Sequence, residues 1–181
     1  MKTQHTKRKP ARQQAAAQPM MAETPAGPFV AWYSAEGLAR LDFPKPSRAV
    51  SQAPASGRGV PTVVAAWHKA TEKALLNILK GKEPGKLPPL DLSAGTAFQQ
   101  EVWKVTTSVP SGGTISYGRI ARAIGRPAAT RAVGQACGAN PIPVIVPCHR
   151  VLAASGRLGG FSGGLDWKRK LLGAEGVHVQ S

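Results

Sequence analysis

The sequence predicts an α/β (α+β) chain. A small N-terminal domain, with a β-hairpin or antiparallel sheet and one helix, precedes a mainly helical C-terminal domain containing a helix-turn-helix. Three observations carry this. Two strand-like runs, Phe29 to Tyr33 and Leu38 to Phe43, flank a turn near Glu36-Gly37, the pattern of a hairpin. One broad apolar face repeats at helical spacing from Thr62 to Lys80. Helix caps and glycine stops follow one another between Thr96 and Gly138. At 181 residues the chain is one ordinary domain or two small ones, and 42 % hydrophobic residues suffice for a core.

Residues 1–27 read as a basic disordered arm. Lys2, Lys7, Arg8, Lys9 and Arg12 all precede the first acid, Glu23, in a Gln/Ala/Pro-rich setting that buries little. The Ala15-Ala16-Ala17 run is broken at once by Gln18 and Pro19, so it lacks the apolar stretch of a secretory signal. The N-terminal domain spans 28–92. Its hairpin is Phe29 to Tyr33, a turn near Glu36-Gly37, then Leu38 to Phe43. Residues 44–61, rich in Pro, Ser, Gly and Ala, read as a linker. The helix from Thr62 to Lys80 stops at Gly81, and the proline-bearing stretch from Glu83 to Asp91 is a connector.

The C-terminal domain spans 93–177, with a tail at 178–181. Thr96-x-x-Gln99 is a capping-box pattern opening a helix through about Ser108. After a turn at Pro110 to Gly113, Thr114-Ile115 is a short extended piece. Ser116 caps a helix from Tyr117 to Ile124, broken by Gly125. Pro127 starts the next helix, through about Gly138. Asn140 to Pro143 is rigid and non-helical, Val144-Ile145-Val146 reads as an extended strand, and Pro147-Cys148-His149-Arg150 follows. Gly156 to Gly164 is a loop with five glycines, and Asp166 to Leu172 a short helix stopped by Gly173.

Charge narrows the function class. The formal net charge is +15, which points to a polyanionic partner, most often nucleic acid. From Val102 to Leu165 there is no carboxylate, while Lys104, Arg119, Arg122, Arg126, Arg131, Arg150 and Arg157 fall there. One sign of charge over such a length suits a phosphate backbone. It excludes paired-carboxylate chemistry and an Asp-rich metal site within that stretch. Two cysteines make neither a disulfide framework nor a Cys-rich zinc module, so no metal is expected. No apolar run approaches the roughly 18 residues of a membrane span. A soluble, cytoplasmic protein is expected, nucleoid-associated in a bacterium or nuclear in a eukaryote.

The second helix of the pair places Arg131 among Ala128, Ala129, Ala132, Gly134, Ala136, Gly138 and Ala139. It lacks the side chains that read major-groove edges. Small residues instead allow close approach to a groove or backbone, or tight packing in a core. Cys148 reads either as a small buried hydrophobe or as a reactive thiol. His149 and Arg150 beside it would lower a thiol's pKa. His149 serves Cys148 only where the backbone turns, and a third member must come from elsewhere. The acids downstream are Asp166 and Glu175. Cys137 sits in the small-residue helix and reads as packing. His5, His68 and His178 carry no ligand pattern.

Pro147-Cys148-His149-Arg150-Val151 resembles the reactive motif of the O6-alkylguanine-DNA alkyltransferases (methylated-DNA–protein-cysteine methyltransferases). The resemblance extends in order over about 80 residues. It takes in Thr96 to Trp103, Ile115-Ser116-Tyr117-Gly118, Thr130-Arg131-Ala132-Val133-Gly134, Gly138-Ala139-Asn140-Pro141, Phe161-Ser162-Gly163-Gly164 and Leu171 to Gly176. Residues 28–92 resemble the family's N-terminal domain only loosely. The resemblance implies one-shot repair of double-stranded DNA, by a monomer with no cofactor. The helix carrying Arg131, Ala132 and Gly134 enters the minor groove, the damaged guanine is flipped out, and Arg131 fills the gap. Cys148 attacks the alkyl carbon on O6 of guanine, or O4 of thymine. His149 draws its proton through a water, Glu175 orients His149, and Tyr117 donates to N3. The backbone N–H of Ser162 contacts O6. The carbonyls of Cys148 and Val151 accept from the exocyclic amine, and Asn140 braces the turn. Some relatives carry Cys-ligated zinc, for which this chain lacks the cysteines. A DNA-binding module without chemistry leaves Tyr117, Cys148, His149 and Glu175 unexplained together. A thiol hydrolase leaves the acid-free stretch unexplained.

Overall fold

The computed structural model describes residues 19–44, 59–154 and 156–179. Most of the linker at 44–61 and residues 1–18 of the expected arm lie outside the described residues.

Three antiparallel strands open the fold: β1 (Pro19–Ala22), β2 (Phe29–Tyr33) and β3 (Leu38–Asp42), in the order β1-β2-β3. The hairpin stands where the two runs placed it, and the structure turns Phe29, Ala31 and Tyr33 of β2 inward. The first strand corrects the arm's boundary. Met20 pairs with Ala31 and Ala22 with Phe29, so residues 19–22 belong to the sheet. Four residues beside a basic, Gln/Ala/Pro-rich tract have too little periodicity to announce a strand. Their pairing comes from the free edge of β2.

Helix α1 (Thr62–Ile78) buries His68, Thr71, Ala74, Leu75 and Ile78 against the sheet. His68 is structural. Its Nε2 lies 3.0 Å from the Met21 carbonyl and its Nδ1 3.2 Å from the Tyr33 hydroxyl, which donates to Thr71.

Helix α2 (Ala97–Thr107) begins with both halves of the capping box: Gln99 N–H donates to the Thr96 hydroxyl, and Thr96 N–H to the Gln99 side chain. Trp103 ties it to the next layer, its indole N–H donating to the Ala136 carbonyl at 2.8 Å. Strand β4 (Ile115–Ser116) leads directly into α3 (Tyr117–Ala123), where the Ser116 hydroxyl accepts from Arg119 N–H. Gly125 ends α3. Residues Pro127–Ala129 form one 3-10 turn rather than the first turn of the next helix, and α4 (Thr130–Gly138) follows. β5 (Val151–Leu152) pairs in parallel with β4, and α5 (Leu165–Ala174) closes the fold. α5 runs through Gly173, the expected stop, because a Gly inside a helix costs only about 1 kcal/mol and Leu171 and Leu172 are fully buried.

Val144-Ile145-Val146 is not a strand. Val144 takes φ +75°, rare for a β-branched residue, and Pro143 and Val146 meet only in an isolated bridge. The run is a buried turn. Its three residues are apolar because all are enclosed, not because they extend.

One contiguous apolar core runs from Phe29, Leu41 and Leu75 through Trp103, Val133 and Ile142 to Val151 and Leu171. No helix among the described residues is long and apolar enough to cross a membrane.

Candidate active site

The buried turn after α4 brings the chain back to the end of the core, where Cys148–Arg150 form a single 3-10 turn. This is the bend that His149 requires to serve its neighbour. Cys148, His149 and Arg150 are all buried. Asn140, at the exit of α4, fixes the approach. Its Oδ1 accepts from Ile142 N–H at 2.9 Å, and its Nδ2 donates to the Val146 carbonyl at 2.9 Å and to Cys148 Sγ at 3.2 Å.

Glu175 stands just beyond α5 with its side chain sealed from solvent. His149 Nε2 lies 3.0 Å from Glu175 Oε1. Arg150 forks onto the same carboxylate, with Nη2 at 2.8 Å from Oε1 and Nε at 3.1 Å from Oε2, and donates through Nη1 to the Val109 carbonyl. Burial pushes the Glu175 carboxyl up, but the His149 and Arg150 hydrogen bonds outweigh it and hold it at about 2. An ionised carboxylate only accepts, so Nε2 carries the imidazole proton. Burial lowers the pKa of His149 more than Glu175 raises it, so the ring is neutral. Its Nδ1 is therefore an acceptor, and it is the buried side-chain atom without a hydrogen-bond partner among the described residues.

The neighbouring Cys137 thiol, together with burial, raises Cys148 above the usual thiol range, while Asn140 and Lys168 work against this. Cys148 is therefore held as the thiol at neutral pH. A thiol in this state needs a base before it can act as a nucleophile, and the adjacent residue carries an unpartnered acceptor, His149 Nδ1.

Tyr117, the first residue of α3, is pushed up to about 12, chiefly by burial, so the resting protein holds it protonated. Its ring sits between α4 and the glycine loop, near Gly134 on one side. A Cβ on Gly159, at φ +62°, would fall 2.7 Å from its hydroxyl. Val151 is buried. Arg131 and Ser162 are exposed on α4 and the loop, and Ala132 and Gly134 are half-buried. The structure thus gathers Cys148, His149, Glu175, Asn140 and Tyr117, and leaves Arg131 and Ser162 at the surface.

A scan against protein families matches residues 97–177 to the 6-O-methylguanine DNA methyltransferase DNA-binding domain. The methylated-DNA–protein-cysteine methyltransferase of Methanosarcina acetivorans is 38 % identical over 159 residues, covering 85 % of this chain and 95 % of that protein. The chain belongs to the methylated-DNA–protein-cysteine methyltransferase family. The Mycobacterium bovis protein of that name is 59 % identical over 86 residues, 48 % of this chain. That alignment spans about half (52 %) of the mycobacterial relative's length. The crystal structure of Mycobacterium tuberculosis OGT in complex with DNA superposes with a TM-score of 0.67 at 39 % identity, over 86 % of this chain and 90 % of that one.

Sequence reasoning overlooked two residues of this site. One is Arg150, counted only as charge. The other is Lys168, fully buried on α5. Its Nζ donates to the carbonyls of Val151 at 2.7 Å, Gly160 at 3.3 Å and Leu158. Burial draws its ammonium down to about 8, against the opposing pull of the Cys137 and Cys148 thiols. The signal was present: Lys168 shares the apolar stripe of α5 with Leu171 and Leu172, where a lysine has no place unless it is bonded. Lys168→Met should orphan the Val151 and Leu158 carbonyls and cost about 2 kcal/mol, read from urea unfolding at neutral pH. A change under about 0.5 kcal/mol, the range of an ordinary surface substitution, would show that the three bonds contribute nothing net.

Proposed function

We propose that this protein repairs DNA by moving the alkyl group from O6 of guanine, or O4 of thymine, in double-stranded DNA onto its own Cys148, once and irreversibly. It acts as a monomer without a cofactor. The observation that carries this is the Glu175–His149 pair, which leaves one open imidazole acceptor on the same tight turn as a buried thiol.

α4 enters the minor groove, Arg131 takes the vacated space, and the damaged base turns out of the stack. The Cys148 proton passes through a water to His149 Nδ1 as the sulfur attacks the alkyl carbon. The carbon–oxygen bond breaks, and its electron pair stays on the base. Tyr117 donates to N3, so that guanine leaves neutral. The imidazolium on His149, held by Glu175, balances the charge left on Tyr117. The Ser162 N–H meets O6, and the Cys148 and Val151 carbonyls meet the exocyclic amine. A carbonyl has two lone pairs, so Val151 keeps one for the base while Lys168 takes the other. Displacement at a saturated carbon needs a good nucleophile, a neutral leaving group and alignment, the parts this reading assigns to Cys148, Tyr117 and the glycine loop. The acid-free stretch suits a surface pressed against phosphates.

With O6-methylguanine duplex in excess, lesion removal should stop at one methyl group per protein molecule. Continued turnover, or no removal, would contradict the proposal.

A further inference from the structure

One group of side chains near the site has no part in this chemistry. Phe43, immediately after β3, comes from the opposite half of the chain to Cys148. Its ring lies 5.6 Å from Phe29, 5.0 Å from Trp167 of α5 and 5.7 Å from Phe161 of the glycine loop, the last edge-on at 77°. Phe161 in turn stands edge-on to His149, at 6.3 Å and 81°. The loop backbone also rests on Phe43. A Cβ on Gly163 would fall 2.6 Å from Cε2 and Cζ of the Phe43 ring, closer than side-chain atoms ever come. Phe161 and Gly163 flank Ser162, so both neighbours of Ser162 are seated on one ring. On its other side the same loop is pinned by Lys168 through the Leu158 and Gly160 carbonyls.

Resting on the transfer reaction above, we propose that Phe43 is a positioning residue. It sets the height of the Phe161–Gly163 segment, and with it the Ser162 N–H that meets O6 of the flipped base. The physical case is one of constraint. The loop is rich in glycine and has little stiffness of its own. A donor acts on a developing charge only when it is held within a fraction of an ångström of its place. Lys168 fixes the start of the loop and α5 its end, and between them Phe161 and Gly163 lie against the ring of Phe43. The contact is with the loop and leaves α4 untouched, so losing it should alter the chemical step and not the grip on DNA.

Phe43→Ala should slow transfer at saturating O6-methylguanine duplex at least about tenfold, with the half-saturating duplex concentration unchanged within about twofold. Phe43→Leu, which keeps most of the volume, should recover part of the rate and covers the case of a poorly folded alanine variant. Gly163→Ala should slow the same step, because its methyl group pushes the loop off the ring. In the Phe43→Ala background, Gly163→Ala should add little, because the space is then open. A second readout needs no DNA. The Gly164 N–H donates to the Phe161 carbonyl at 3.0 Å, and its hydrogen exchange should accelerate in Phe43→Ala while α4 amides keep their rates. The proposal is overturned by unchanged Gly164 exchange, by multiplicative effects of the two substitutions, or by a variant that loses affinity and keeps its saturating rate. A wild-type protein that transfers nothing overturns the function, and Gly164 exchange still decides the role of Phe43.

Discussion

Glu175→Gln should cripple the protein twice over. Gln can still accept from His149 Nε2–H, but it removes the charge that steadies the imidazolium as the Cys148 proton arrives. The saturating transfer rate should fall by about 10²-fold or more, the scale of a lost acid–base group. The variant should also be less stable, because Arg150 is then a buried guanidinium without its carboxylate. Breaking such a pair costs roughly 3–5 kcal/mol, on the order of 10 °C in Tm for a chain of this size. The acid limb should change in a defined direction. A carboxyl depressed from 4.5 to about 2 contributes on the order of 3 kcal/mol above pH 4.5 and loses it as pH falls toward 2. Wild type should therefore lose stability over that window, and Glu175→Gln should lose correspondingly less. Thermal unfolding across pH 2–7 checks this, and parallel curves would show that Glu175 is not ionised by its partners.

Cys148→Ala should abolish transfer completely and leave affinity for the duplex within about twofold of wild type. Cys148 is enclosed by Asn140, Cys137 and the core, whereas the expected DNA contacts lie on the exposed face of α4, around Arg131. The turn should survive the substitution, because Asn140 still binds the Val146 carbonyl and Ile142 N–H. Residual transfer in Cys148→Ala would move the acceptor elsewhere, with Cys137 the nearest thiol. Loss of binding alongside transfer would mean that the thiol supports the fold and not the reaction alone.

Local signals in the sequence are the ones that reappear in the fold. Thr96 and Gln99 announce the start of α2, Ser116 and Gly125 bracket α3, and the turn near Glu36-Gly37 separates β2 from β3. These are interactions between near neighbours, so their spacing is visible along the chain. β1 was hidden because its strand character exists only in its pairing with β2. Val144 to Val146 misled because complete burial makes a turn as apolar as a strand. At the site, the residues alone offered Cys148 and His149 with Asp166 or Glu175 as a third member, and the choice of Glu175, like Asn140 as a brace, came from the family resemblance. The fork of Arg150 onto Glu175, the three carbonyls around Lys168 and the seat of the glycine loop on Phe43 were not legible. Each depends on side chains meeting in three dimensions, which composition does not encode. Lys168 alone left a trace, as a charge in an apolar stripe.

The most direct test of the account is the mass of the peptide that contains Cys148. Wild-type protein is mixed with an equimolar duplex carrying one O6-methylguanine, digested, and the peptide is sequenced in the mass spectrometer. The account predicts a stoichiometric gain of one methylene, placed on Cys148, with guanine restored in the duplex. A bound duplex with an unmodified Cys148 peptide, or a methyl group on any other residue, would contradict it.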